Sequence, residues 1–233
     1  MLESSYIDQE RHMVGEIPLI RLLPKYTEGA LPTIIFYHGW SSSKEIQLMR
    51  GMILASFGYQ VILPDSVNHG ERGILDYGSP EIVVANFWPT ILKNLEEYEI
   101  IRDYAVENFS ADGERLGVSG NSMGGFTASG VFAYNPEIKA MAILNGSSNW
   151  TGANFIFKKL VPGELPDWLK KEEEYISSLD PMNHMEKLVD RPILMLHGGA
   201  DSVVDIQSQR DFYKTASALY KDPEKIDLIE YNN

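Results

Sequence analysis

The sequence predicts an α/β domain: a mostly parallel, twisted sheet with helices on both faces and a small helical cap inserted over one edge. Three observations carry this. Short apolar runs rich in β-branched residues recur, each followed by a turn and then a helical pattern. One of those turns, Gly120-Asn121-Ser122-Met123-Gly124, is tight and flanked by glycine. One long stretch, about residues 148–185, interrupts the alternation.

Each element follows from local chemistry. Glu16–Leu23 reads as an antiparallel strand at the sheet edge. Thr33–Tyr37 is the first core strand, and Ser43 with Glu45 then opens a helix that carries Ile46, Met49 and Ile53 on a single face. Gln60–Leu63 is the next strand. A long helix runs through Leu92, Leu95 and Ile101–Ala105, after Pro89 breaks or kinks the chain. Arg115–Val118, Ala140–Leu144, Ile193–Leu196 and Ile226–Tyr231 complete the strands. The last helix starts near Ser208 and carries Phe212, Ala216 and Leu219. The interrupting stretch holds Trp150, Phe155, three prolines and the charge run Lys170–Glu174, and no convincing strand. A helical cap explains it better than a structureless loop, since loops of that length are uncommon.

Composition narrows the class. A chain of 233 residues, 44% hydrophobic and 23% charged, suits one soluble domain with a full core. No stretch approaches the roughly 20 apolar residues of a spanning helix, and the N-terminus lacks the apolar core of a signal peptide. A net charge of −13 argues against nucleic-acid and anionic-membrane partners, because phosphate binding needs clustered Lys and Arg. Without cysteine there is no disulfide, thiolate nucleophile or Cys-ligated zinc, which fits a cytoplasmic location. The oligomer is not readable, and a homodimer is left open.

The chemistry sits in three motifs. Gly120-Asn121-Ser122-Met123-Gly124 follows a strand and precedes a helical pattern, the setting in which G-x-S-x-G presents a nucleophilic serine. Side chains two residues to either side would collide in so tight a turn, so both positions are glycine. His38-Gly39-Trp40 ends the strand Thr33–Tyr37, and an acyl transfer needs preorganised donors for its oxyanion. Leu196-His197-Gly198-Gly199-Ala200-Asp201 ends a later strand, where a triad would take its carboxylate. Asp201 is nearer the strand's mouth than its rival Asp205, and either residue would also serve as a helix cap.

The stretches HGWSSSKE, ILPDSVNHGERG, GVSGNSMGG and RPILMLHGGADSVV together resemble the prolyl-oligopeptidase and dienelactone-hydrolase branch of the α/β-hydrolase superfamily, and small bacterial carboxylesterases within it. The resemblance implies the order Ser122, Asp201, then histidine, with oxyanion donors from the Trp40 and Met123 N–H groups and neither a metal nor an organic cofactor. It also places His69 and Arg72 on a loop at the rim, with structural roles. Trp40, Trp88, Trp150 and Phe155, with His38, are candidates for a compact apolar acyl pocket, or simply for the core.

The departure from the pattern lies at the end. The branch carries its histidine after the last strand, and here that strand is followed only by Asn232 and Asn233. The expectation is a chain that stops short of its general base; the other reading is a homologue that binds ligand without turnover. Of the internal histidines, His184 is the one candidate to reach over Ser122. The expected activity is hydrolysis of small carboxylic esters with short acyl chains through an acyl-enzyme. A thioesterase or acyl-peptide hydrolase would use the same triad.

Overall fold

The computed structural model describes residues 4–158 and 167–232, the last four of the first stretch and the first three of the second by backbone alone. Eight strands form one sheet in the order β1-β2-β4-β3-β5-β6-β7-β8. They are β1 (Ile7–Val14), β2 (Ile17–Pro24), β3 (Leu31–Tyr37), β4 (Gln60–Pro64), β5 (Ala111–Asn121), β6 (Ile138–Leu144), β7 (Ile193–Gly198) and β8 (Ile226–Tyr231). The pairs from β4 through β8 are parallel, while β1 with β2 and β2 with β4 are antiparallel. The helices are α1 (Leu48–Ser56), α2 (Pro80–Asn108), α3 (Met123–Tyr134), α4 (Trp150–Lys158), α5 (Asp167–Leu179) and α6 (Ile206–Ser217).

Crossover handedness assigns the helices to faces. Parallel connections are right-handed, so steps toward opposite edges of the sheet put their helices on opposite faces. Only β3 to β4 steps toward β1, and its helix α1 packs on Ile20, Leu22, Phe36, Val61 and Leu63. The alternate side chains Leu19, Ile35, Ile62, Val118, Met141 and Met195 join the larger core with residues of α2, α3 and α6. Beyond α1, the first face is a groove of about 610 Å³ lined by Ile34, Gly117, Ala140, Ala142 and Leu194.

Three sequence expectations change here. The antiparallel strand is β2, one position in from the edge, and β1 lies outside it. β1 (IDQERHMV) hides among charges because an edge strand exposes one face and is kept from further pairing by charged side chains. The stripe that shares one face of the expected helix points outward, with Ile46 just ahead of α1 at 66% exposure and Met49 and Ile53 within it at 61 and 52%. The helix instead meets the sheet through Gly51 and Ala55, and a Cβ on Gly51 would stand 2.6 Å from a Leu22 methyl carbon. Pro89 does not end a helix. It lies inside the 29-residue α2, which begins ten residues earlier with Ser79 capping the Ile82 N–H and Pro80 in the first turn.

The insertion is helical where it is described. Asp180, buried, joins its two ends by accepting the N–H groups of Trp150 (3.0 Å), Thr151 (2.7 Å) and Met182 (2.9 Å). A carboxylate at a helix N-terminus satisfies donors that have no acceptor within the helix.

Candidate active site

Ser122 stands between β5 and α3 at φ 54°, ψ −121°, a left-handed conformation that a residue with a Cβ adopts only under constraint. The constraint is visible on both sides. Its N–H donates to the Leu144 carbonyl at 2.8 Å, and its carbonyl accepts the Gly125 N–H at 2.7 Å. A Cβ on Gly120 would meet the Gly124 carbonyl oxygen at 2.0 Å, and one on Gly124 would meet the Tyr37 carbonyl oxygen at 2.1 Å. The turn therefore admits only glycine at these positions, and Ser122 is left half-buried at the C-terminal edge of the sheet.

The loop after β3 reaches the same point. A Cβ on Gly39 would stand 3.2 Å from both the Asn121 carbonyl oxygen and the Ser122 Cβ, so loop and elbow are in contact. Trp40 follows directly, and Met123 is the first residue of α3, whose N–H has no acceptor within the helix. The Trp40 indole donates to the Tyr77 carbonyl at 3.2 Å and packs edge-on against His69 and Tyr77.

Beneath this loop is a charged cluster that sequence reading passed over. Lys44 and Asp65 are each about 1% exposed and form an ion pair. Asp65 also accepts the backbone N–H groups of Lys44 and Glu71, both at 2.9 Å, while the Lys44 ammonium reaches Glu71 at 2.7 Å and Glu45 at 3.2 Å. Burial works to depress the Lys44 ammonium, but these carboxylates outweigh it and hold its pKa above the ordinary value. Asp65 ties the loop after β3 to the loop after β4. Its one signal in the sequence is a carboxylate at the C-terminal end of an apolar strand.

His38 is fully buried, with Nδ1 2.8 Å from the Gly39 carbonyl and Nε2 accepting the Ser66 N–H at 3.0 Å. Burial pushes its pKa down to about 4. His69 is buried as well, its Nδ1 2.9 Å from the Val67 carbonyl and its ring stacked on Tyr77. Arg72 holds Glu97 of α2 with two 2.7 Å bonds.

Asp201 lies in the turn after β7, its Oδ1 accepting the N–H groups of Val203 (2.8 Å) and Val204 (3.0 Å). His197 closes that turn through Nε2, 2.8 Å from the Val204 carbonyl. Asp205 caps α6 by accepting the Gln207 N–H at 2.9 Å. Asn145, also missed, braces the same edge by accepting the Gly198 N–H at 3.0 Å.

The pocket residues fall elsewhere. Trp88 and Trp150 belong to the core between α2, α3 and α4, at 3 and 0% exposure. Their indole N–H groups donate to Asn154 at 2.9 Å and Ser129 at 3.0 Å. With buried His38, they serve packing and loop support instead of lining a pocket. Phe155 is in α4, and its side chain lies outside the described residues.

All five histidines are described, and each is engaged away from Ser122. His184 packs on Tyr134, the last residue of α3, and its Nε2 is 2.7 Å from the Ser178 carbonyl. Ser122 caps the other end of that 12-residue helix, about 18 Å along its axis at 1.5 Å per residue. His12 sits in β1 beside Glu10.

Comparison with known proteins identifies the family and the fold. Residues 93–232 match the prolyl oligopeptidase family. The esterase YjfP of Escherichia coli (strain K12) is 33% identical over 206 residues, covering 85% of this chain and 80% of that one. The esterase-named YitV of Bacillus subtilis (strain 168) is 32% identical over 239 residues, covering 97 and 91%. Among solved structures, TT1662 from Thermus thermophilus superposes with a TM-score of 0.74 at 20% identity, over 97% of this chain and 87% of that one. The acylaminoacyl peptidase of Pyrococcus horikoshii gives 0.73 at 19% identity, over 98% of this chain and 37% of that one. With its strained serine elbow and mostly parallel sheet, the chain belongs to the prolyl oligopeptidase family of the α/β-hydrolase superfamily and is a serine hydrolase.

Proposed function

We propose that the protein is a carboxylesterase that works through an acyl-enzyme on Ser122. The observation that carries this reading is the contact between the strained Ser122 turn and Gly39, which brings the loop of Trp40 against the nucleophile. Ser122 Oγ attacks the ester carbonyl and its proton passes to a histidine. The oxyanion is met by the Trp40 and Met123 N–H groups, and the alcohol leaves with the returned proton. Water then repeats the sequence on the acyl-enzyme and releases the acid. Asp201 orients the histidine with Oδ2, since Oδ1 is taken by two backbone N–H groups.

The family resemblance implies that this histidine belongs to the loop after the last strand. Support comes from the ladder: the Gly199 N–H donates to the Tyr231 carbonyl at 2.7 Å, so the strand ends beside the turn that holds Asp201. Short acyl chains remain the proposed preference. Of the aromatics that suggested them, Trp88 and Trp150 lie in the core and the Phe155 side chain lies outside the described residues, so the support is Trp40, which follows the Gly39 that touches the Ser122 turn.

The test is labelling with a fluorophosphonate, together with turnover of p-nitrophenyl acetate, butyrate and decanoate, in the wild type and Ser122→Ala. Labelling and turnover that vanish in the variant, with acetate or butyrate preferred, are expected. Labelling that persists in Ser122→Ala refutes the assignment, and a preference for decanoate refutes the short acyl site.

A further inference from the structure

We propose that His38 is a positioning residue, which sets the orientation of the Gly39–Trp40 peptide and thereby aims the Trp40 N–H at the oxyanion. The inference rests on the esterase reading above, in which Trp40 supplies one of the two donors.

The argument begins with the planarity of the peptide. In a trans peptide the C=O and the N–H lie in one plane and point in opposite directions, so a grip on the oxygen fixes where the N–H points. The Gly39 carbonyl is the oxygen of the peptide whose nitrogen belongs to Trp40. It lies 2.8 Å from His38 Nδ1 and also accepts the Ser42 N–H at a longer 3.3 Å. His38 Nε2 accepts the Ser66 N–H at 3.0 Å, so that nitrogen carries no proton. The single proton of a neutral imidazole is then on Nδ1 and donates to Gly39. One ring thus accepts from the loop after β4 and donates to the loop after β3.

The anchor is itself fixed. Ser66 Oγ accepts from Asn94 of α2 at 3.0 Å, and Asp65 beside it holds the Lys44 N–H at 2.9 Å. The loop from His38 to Lys44 is therefore gripped at both ends by the same turn after β4. Groups facing the imidazole are the His69 ring, 5.2 Å away centre to centre, Asp65 Oδ1 at 4.0 Å, and the Lys44 ammonium paired to that carboxylate. The burial that keeps His38 uncharged preserves the tautomer, because a second proton would sit on Nε2 and face the Ser66 N–H.

The pairing explains why a histidine serves here. Asparagine places an N–H near the Nδ1 site and keeps the grip on Gly39. Glutamine reaches the Nε2 site, accepts from Ser66, and leaves the Gly39 carbonyl to Ser42 alone. Removing an oxyanion donor costs about 10²–10³ in kcat, and a misaimed one costs less.

The experiment combines kinetics and spectroscopy. In His38→Gln, kcat on p-nitrophenyl acetate falls about 10- to 100-fold with KM within about twofold, the split expected for an interaction made in the transition state. His38→Asn keeps more than about a third of wild-type kcat. Imidazole ¹⁵N shifts of the wild type, which need no turnover, show Nδ1 protonated at pH 7. An Nε2-protonated ring overturns the proposal, as does a rise in KM at unchanged kcat. Turnover that survives Ser122→Ala sinks the underlying esterase reading. Turnover lost in Ser122→Ala but unchanged in His38→Gln sinks the His38 assignment alone.

Discussion

Replacing Asp65 by alanine is the sharpest perturbation of the scaffold under the site. The carboxylate accepts the backbone N–H groups of Lys44 and Glu71 at 2.9 Å and pairs with the Lys44 ammonium, and Asp65 and Lys44 are each about 1% exposed. Truncation strands both N–H groups, at about 1–3 kcal/mol each. The ammonium keeps Glu71 at 2.7 Å and Glu45 at 3.2 Å, whose side chains are 53 and 35% exposed, so it is weakened without being orphaned. The expected loss is about 3–5 kcal/mol, the scale for breaking a buried pair, against a total stability of about 5–15 kcal/mol. With a urea m-value near 2–3 kcal/mol/M, the midpoint drops by about 1–2.5 M. Lys44→Met leaves Asp65 with its two N–H donors, and the double variant loses less than the sum of the singles by about 1–3 kcal/mol. Urea unfolding of the four proteins at pH 7 supplies the test. A loss under about 1 kcal/mol in Asp65→Ala, or a strictly additive cycle, refutes the account of this cluster.

Three further outcomes follow from the packing. His38 titrates near 4 in the folded protein against about 6.5 unfolded, so between those values the unfolded chain binds more protons and stability falls as pH drops, by up to ~3 kcal/mol. Burial lowers His69 in the same direction, and a urea midpoint that is flat from pH 6.5 to 4.5 contradicts this. Trp150→Ala, which empties a site of 0% exposure and frees Ser129, costs about 3–5 kcal/mol. If Trp150 is core, KM for p-nitrophenyl esters stays within about twofold. Gly124→Ala forces a Cβ to 2.1 Å from the Tyr37 carbonyl oxygen, where neither backbone can yield. It costs about 3 kcal/mol or more and abolishes fluorophosphonate labelling, and a variant labelled at the wild-type rate breaks the steric argument.

The motif residues were legible because their chemistry is local. A strained turn needs glycines within two positions of Ser122, and a sheet edge needs β-branched runs before its loops. Spacing alone thus exposed the elbow, the order of the core strands in sequence, and the turn that carries Asp201. Wherever a residue's role depends on what it meets across the molecule, pattern misled. Ile46, Met49 and Ile53 make an apolar stripe, yet α1 approaches the sheet through Gly51, since close packing of a helix on strands needs absence of bulk. Trp88 and Trp150 are as apolar as any pocket wall and became core.

The sequence by itself determined the fold class, the family and the strained turn at Ser122, because glycine sterics and strand periodicity act over a few residues. Only the tertiary structure decided that Lys44 and Asp65 anchor the loop after β3 and that His38 bonds the Gly39 carbonyl. It alone removed His184 from contention, by placing that residue at the far end of α3. Each of these depends on a hydrogen bond or a contact between segments distant along the chain, and no local spacing encodes such a distance.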